Sequence, residues 1–299
     1  MKQRNIRKIA TVCLIVSCII YGISFVVVKD TLTKVEPVAF LAGRFLVSFL
    51  FINFLLIFKG FSLDLKGKRI GILVLLSCLN PIVYYSLETF ALRLISASEA
   101  GIIVAMYPAV TAILGYFLLK EKLPRHKSVL VVVTVITGIG IVVAKNVIGL
   151  SNIFGSIVFI LAIIIAGIHT ILSRESTRTF TPFEITYLMS FFGFVFFNGV
   201  YVINLLKDNR INNYFELFMK KEILFSILYL GICCSILGVL LVNFALKHIK
   251  ANIVAIFSNL ETITAIFLGA IILKETITIF DIVGSSIILI CICIISNEL

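Results

Sequence analysis

The stretch Phe90–Leu123, FALRLISASEAGIIVAMYPAVTAILGYFLLKEKL, returns 154 residues later as Phe244–Thr276, FALKHIKANIVAIFSNLETITAIFLGAIILKET. Phe90-Ala91-Leu92 falls on Phe244-Ala245-Leu246, Leu114-Gly115 on Leu268-Gly269, and Leu119-Lys120-Glu121 on Leu273-Lys274-Glu275. A weaker echo lies upstream at an offset of 145, with Gly22 over Gly167, Lys29 over Arg174 and Pro37 over Pro182. Each copy holds a long apolar run, and an internal duplication of apolar runs points to a membrane transporter built from repeats.

Composition makes the membrane assignment independently. The 299 residues are 61% hydrophobic and 14% charged, with a mean hydropathy of +1.16; soluble domains run near ~45–50% apolar and ~25% charged. Runs close to the ~20 residues that cross a bilayer recur at Ile9–Val28, Pro37–Phe58, Ile70–Leu92, Ala97–Leu119, Ser128–Ala144, Asn152–Ser173, Pro182–Leu205, Ile223–Leu246, Ala251–Leu273 and Thr278–Ser296. The expected fold class is therefore an all-α membrane protein with ten transmembrane helices. The repeats divide it at residues 1–147 and 148–299, five helices each. Because five is odd, the second copy enters the membrane from the opposite side, so the repeats are inverted. The basic start Lys2, Arg4, Arg7 and Lys8 resembles a signal-peptide n-region, yet no cleavage site of small residues follows the first apolar run.

Sixteen Lys and Arg fall on the face shared by the N-terminus, and nine on the other. The positive-inside rule then puts both termini in the cytoplasm of a multi-pass protein of the cell membrane. The formal net charge of +11 reads as topology and attraction to anionic lipid, and no basic stripe with interleaved aromatics suggests a nucleic acid. Cys13, Cys18, Cys78, Cys233, Cys234, Cys291 and Cys293 all lie inside expected spans, where they read as small apolar packing residues, and their spacing fits no zinc set. No metal or cofactor is expected.

The segment Ser96–Leu123, with Pro108 mid-span and Glu121 at its end, resembles the signature half of EamA-type members of the drug/metabolite transporter superfamily. Its second copy carries Glu261 and Glu275, and departs from the pattern at Thr262, where proline is expected. Tyr21-Gly22-Ile23-Ser24-Phe25 is similar to the family's opening motif, and Arg44 fits an arginine of its second helix. The resemblance spans nearly the whole chain. It implies a secondary transporter that moves a small organic solute (an amino acid, metabolite or drug-like molecule), with export favoured, by alternating access around a site between helices one, three, four, six, eight and nine.

Polar residues that share a helix face inside an apolar chain mark candidate solute contacts, since charge exposed to lipid is costly. On the third helix Asn80, Tyr84 and Glu88 stand at i, i+4 and i+8. On the ninth, Asn259 and Thr262 share a face with Asn252, and Ser258 and Glu261 occupy the adjoining arc. Glu261 is ten residues in, about 15 Å deep at helix rise, whereas Glu88 and Glu99 sit nearer the outer helix ends, within reach of water. Tyr21 and Ser24, with Ser17, form a milder stripe on the first helix, for which close helix packing is the competing account. Tyr107, with Tyr85 and Met106, offers an aromatic and apolar wall or ordinary core. His169 is either a satisfied polar side chain or a proton relay, and Arg44 either snorkels to the headgroups or pairs with Glu88 or Glu99. Glu261 is expected to bind a cationic group of the solute or a coupling proton.

A passive channel could use the same polar faces. A polytopic enzyme is a weaker alternative, because no H-E-x-x-H or G-x-S-x-G string is present and His126, His169 and His248 stand apart. No P-loop supplies a nucleotide motor.

Overall fold

The computed structural model describes residues 2–58, 62–68, 70–119, 125–147, 152–275, 278–279, 282–283, 286–287 and 290. Among these the chain is helical, with α1 (Lys2–Leu32), α2 (Pro37–Leu55), α3 (Gly71–Leu94), α4 (Ala97–Val104 continuing as Tyr107–Leu119), α5 (Arg125–Val147), α6 (Ile153–Ser176), α7 (Pro182–Lys207), α8 (Lys221–His248) and α9 (Ala251–Phe257 continuing as Asn259–Ile272). All but α5 contain a segment long and apolar enough to cross a membrane, which makes eight such spans among the described residues. The fifth expected span falls on α5. The tenth, from residue 278, lies largely outside the described residues, as do Glu121, Cys291 and Cys293.

Local sequence sets the helix ends. Ser96 accepts from the Glu99 backbone N–H to start α4, and Asn152 does the same from Gly155 for α6. Thr181 and Glu184 form a reciprocal capping box at the start of α7, where Pro182 occupies the first turn. Glu184 also takes the Lys68 ammonium at 2.7 Å, which pins the α2–α3 connection to this helix.

Four of the long helices are interrupted. In α3 the backbone widens over Cys78–Val83, and Asn80, with φ −142° and ψ 114°, leaves helical geometry just before Pro81, whose ring lacks an N–H for the ladder. In α8 the widening covers Tyr229–Gly238. Breaks fall in α4 at Ala105 and Met106, ahead of Pro108, and in α9 at Ser258. The ninth helix therefore breaks without the proline missing at Thr262.

The outside is apolar and the inside carries the polar groups, as a lipid-facing surface demands. Leu50, Phe54, Phe117 and Phe267 are exposed, whereas Ser17, Arg44, Ser48, Glu99, Thr186 and Asn243 are buried. α1 packs on α8 and α9; α6 packs on α3 and α4; α2 lies along α7 and α8, and α7 also meets α3. The first half of α4 lies on the second half of α9, and the second half of α4 on the first half of α9, so the two run antiparallel.

Small residues allow these approaches. A Cβ at Gly22 of α1 would sit 2.9 Å from the Glu261 carbonyl oxygen of α9 and would collide with Thr264, and one at Gly167 of α6 would sit 2.9 Å from Leu114 of α4. Gly101 of α4 accepts a 2.8 Å hydrogen bond from the Thr262 hydroxyl at its carbonyl. Where α3 ends, Lys29 donates to the carbonyls of Leu92 (2.7 Å) and Ile95 (2.6 Å); where α8 ends, Arg174 donates to the Ile249 carbonyl at 2.7 Å. A cation on the last carbonyls of a helix satisfies acceptors the ladder leaves open and meets the negative end of its dipole.

Candidate functional site

A cavity of about 130 Å³ opens at the centre of the bundle, between α1, α2, α3, α4, α6, α7, α8 and α9. Its volume is close to the ~150 Å³ that accommodates a benzene-sized molecule in a protein interior. Eight of the candidate residues line it: Tyr21 and Ser24 from α1, Asn80, Tyr84 and Glu88 from α3, Tyr107 from α4, His169 from α6, and Glu261 from α9. Apolar side chains, among them Leu14, Val104, Ile163 and Val254, form much of the rest of the wall.

On α3 the Tyr84 hydroxyl donates to Glu88 Oε1 at 2.8 Å, which fixes the carboxylate against its own helix. Glu88 is 5% exposed and lines the same central cavity as Glu261. The widened backbone at Asn80 leaves that side-chain oxygen buried without a hydrogen-bond partner.

Arg44 follows neither reading that the sequence offers. It is 2% exposed and therefore does not snorkel, and among the described residues no carboxylate lies within ion-pair distance of it. Its Nε donates to Ser235 Oγ of α8 at 2.9 Å, and its guanidinium carbon stands 4.0 Å from the centroid of the Tyr85 ring, a cation–π arrangement worth more when desolvated. Arg44 is among the residues that line the cavity.

His169 is 8% exposed and its Nε2 has no partner, so it is not the satisfied polar side chain that a lone histidine first suggests. Tyr107 of α4 and Thr170 of α6 join through a short hydroxyl–hydroxyl hydrogen bond across the wall. Glu261 projects beside the Cys18 thiol of α1. The Tyr21 ring packs over Gly238, its hydroxyl reaches the Cys234 carbonyl at 3.4 Å, and Ser24 donates to the Tyr21 carbonyl at 2.7 Å.

Asn259 and Thr262 are not part of this lining. Both are buried, and the Thr262 hydroxyl is committed to the Gly101 carbonyl of α4. Ser258 and Glu261, on the adjoining arc, face the cavity instead. Met106 is core, against Gly138, and Ser17 bonds back to the Leu14 carbonyl. Lining residues outside the candidate set include Arg44, Thr170 and Asn243. Asn243 accepts from Ser173 at 2.7 Å and donates to Thr186 at 3.4 Å; its signal is a single amide inside the apolar run of α8. Among the described residues no three His, Cys, Asp or Glu side chains gather as a metal site requires.

The model of the EamA-like transporter family matches residues 8–144 and again 153–297. The chain belongs to the EamA-like transporter family. It is similar to the uncharacterized transporter YcxC of Bacillus subtilis, with 29% identity over 277 residues, covering 92% of this chain and 89% of that one. It is also similar to the uncharacterized transporter YetK of the same organism, at 25% identity over 92% of this chain and 83% of that one. An uncharacterized transporter of Archaeoglobus fulgidus is 22% identical over 90% of this chain and 92% of its own length. A solved structure, titled only as the crystal structure of a protein, shares the fold with a TM-score of 0.71 over 97% of this chain and 96% of that one, at 14% identity. This EamA-family chain is thus a multi-pass membrane transporter, and its central cavity is the candidate place for the solute.

Proposed function

We propose that this EamA-family protein is a secondary carrier that binds a small organic solute in the central cavity and moves it across the cell membrane by alternating access. Tyr21, Ser24, Asn80, Tyr84, Glu88, Tyr107, His169 and Glu261 contact the solute, and Asn259 and Thr262 hold α4 to α9. Ten helices form two inverted repeats, residues 1–147 and 148–299, with both termini cytoplasmic. Export is the direction the family resemblance implies, and Glu261 is the group that would take a coupling proton.

The observation that carries the reading is that polar side chains from both halves converge on one cavity with bonding capacity unspent. Asn80 Oδ1 and His169 Nε2 are buried without partners, each at a cost of about 1–3 kcal/mol that a solute's polar groups offset. The inverted repeat is supported by contacts that map onto themselves when each helix is exchanged for the one five places away. Gly22 against α9 corresponds to Gly167 against α4, and Lys29 on Ile95 to Arg174 on Ile249. The widenings of α3 and α8 and the breaks of α4 and α9 correspond in the same way, and the family model itself matches twice.

The test is solute counterflow in proteoliposomes, run against a panel of amino acids, nucleosides and cationic drugs. A carrier accumulates labelled solute against its gradient when unlabelled solute is trapped on the far side. Equilibration without overshoot for every permeant probe identifies a passive pore and refutes the proposal.

A further inference from the structure

A second cavity, of about 550 Å³, opens away from the central one, where the α1–α2 turn, the end of α7 and the start of α8 come together. The remaining wall is the crossover of residues 208–220, which joins α7 to α8, two helices long and apolar enough to cross a membrane. The crossover therefore runs along the boundary between hydrocarbon and water. It folds into two short helical turns, Ile211–Phe215 and Glu216–Met219, whose side chains divide three ways. The Tyr214 hydroxyl donates to Asn198 Oδ1 of α7, and the same amide donates to the Ala42 carbonyl of α2 at 3.2 Å, while buried Leu217 packs over Gly43. Asn213, Glu216 and Lys220 line the cavity. Ile211, Phe215 and Met219, spaced four apart in sequence, are left exposed. A segment held from behind at this level, with an apolar edge turned outward, meets the lipid leaflet.

The charges that line the cavity are mixed. Lys34 is committed to Asp30 and Glu222, each at 2.9 Å. Lys207, Arg210 and Lys220 have no ion-pair partner among the described residues, and neither do Asp208 and Glu216. We propose that this cavity binds the head group of a phospholipid that carries an ammonium as well as a phosphate. The phosphate lies among Lys207, Arg210 and Lys220, the ammonium against Asp208 and Glu216, and the acyl chains enter the leaflet beside Ile211, Phe215 and Met219. Attraction of a basic surface for anionic lipid is diffuse; the two acids in the same lining make this site selective. An anionic glycerol head group leaves both carboxylates without a cation, and a trimethylated choline has no N–H to donate to them, whereas an ethanolamine ammonium makes charge-assisted hydrogen bonds. The site is separate from the solute cavity and does not depend on the carrier reading.

The test titrates the full-length protein, purified in detergent, with phosphatidylethanolamine, phosphatidylcholine and phosphatidylglycerol of identical acyl chains, and with water-soluble glycerophosphoethanolamine. Bound lipid is counted by native mass spectrometry, and affinity is read from the shift in apparent unfolding temperature over the concentration series. The ethanolamine lipid is expected to bind at least ~10-fold more tightly than the other two lipids and than the soluble head group. Lys207→Gln, Arg210→Gln and Lys220→Gln together should weaken it by roughly 10- to 100-fold. Asp208→Asn with Glu216→Gln should abolish the preference over choline while choline-lipid binding holds. All five residues are exposed, so these changes leave the helix packing intact. If the glycerol or choline lipid binds as tightly as the ethanolamine lipid, the head-group assignment is overturned. Undiminished binding by the triple variant overturns the site, and a soluble head group that binds as tightly as the lipid overturns the membrane as its source.

Discussion

Glu275 closes the seam between the two halves, and removing it should be costly in a calculable way. One oxygen accepts from the Ala97 backbone N–H at 2.7 Å, and the other from the Ser98 backbone N–H at 2.9 Å and the Ser98 hydroxyl at 2.5 Å. These two N–H groups open α4, where the helix provides no internal acceptors, and Ala97 and Ser98 are 0% and 1% exposed. Glu275→Ala leaves both donors buried and unmet, at about 1–3 kcal/mol each, for a total of about 2–6 kcal/mol. For a chain of this order of size a loss of 1 kcal/mol lowers the unfolding midpoint by about 2–4 °C, so the fall should be at least ~4 °C. Cys18 and Cys234 are buried free thiols whereas Cys78 is exposed and Cys13 and Cys233 are partly so, and a thiol-reactive fluorophore therefore reports unfolding in detergent once the cysteines other than Cys18 and Cys234 are replaced by serine. Glu275→Gln keeps one carbonyl oxygen and should fall between wild type and the alanine variant, with Ser98→Ala milder than either. A midpoint for Glu275→Ala within ~1 °C of wild type, or a glutamine variant less stable than the alanine one, would refute the capping argument.

Glu261→Gln should reduce counterflow at least ~10-fold at unchanged membrane abundance, as removal of an intramembrane charge that meets the solute or a proton requires; full activity makes Glu261 a packing residue. Gly22→Val should lower the unfolding midpoint, since overpacking costs about 1–3 kcal/mol and its Cβ collides with α9. Gly140→Ala, with open space around its α-carbon, should leave the midpoint unchanged or slightly raised. In a cysteine-free background, a cysteine replacing Lys66 should react only from the cytoplasmic side and one replacing Arg210 only from outside; both residues are exposed, and reversed labelling would overturn the orientation. Tyr84→Phe frees Glu88 from its 2.8 Å hydrogen bond and should change solute affinity in binding assays while membrane abundance holds.

Much of this was legible in the sequence because membrane helices declare themselves locally. Length and hydropathy placed the eight spans found among the described residues, and the register of the repeat placed Lys29 over Arg174 and Gly22 over Gly167, pairs that make equivalent contacts in the fold.

Rotation about each helix axis was not legible. Asn259 and Thr262 each follow by one residue a member of the arc that carries Ser258 and Glu261, a turn of about 100° in a 3.6-residue helix, and either arc could have faced the cavity. What decides it is distant in sequence: the Gly101 carbonyl accepts from Thr262, and Gly22 admits the backbone of α9 at Glu261 so closely that this face of the helix can only be the one turned toward α1. Once α4 and α1 have taken their sides of α9, the Glu261 side chain has only the space beside Cys18 left, and that space is the cavity. The same reasoning accounts for Arg44, which the sequence could assign to headgroups or to a glutamate. Ser235 and Tyr85 arrive from α8 and α3 at positions that only the packed bundle brings together, and they hold the guanidinium in the interior at the wall of the central cavity.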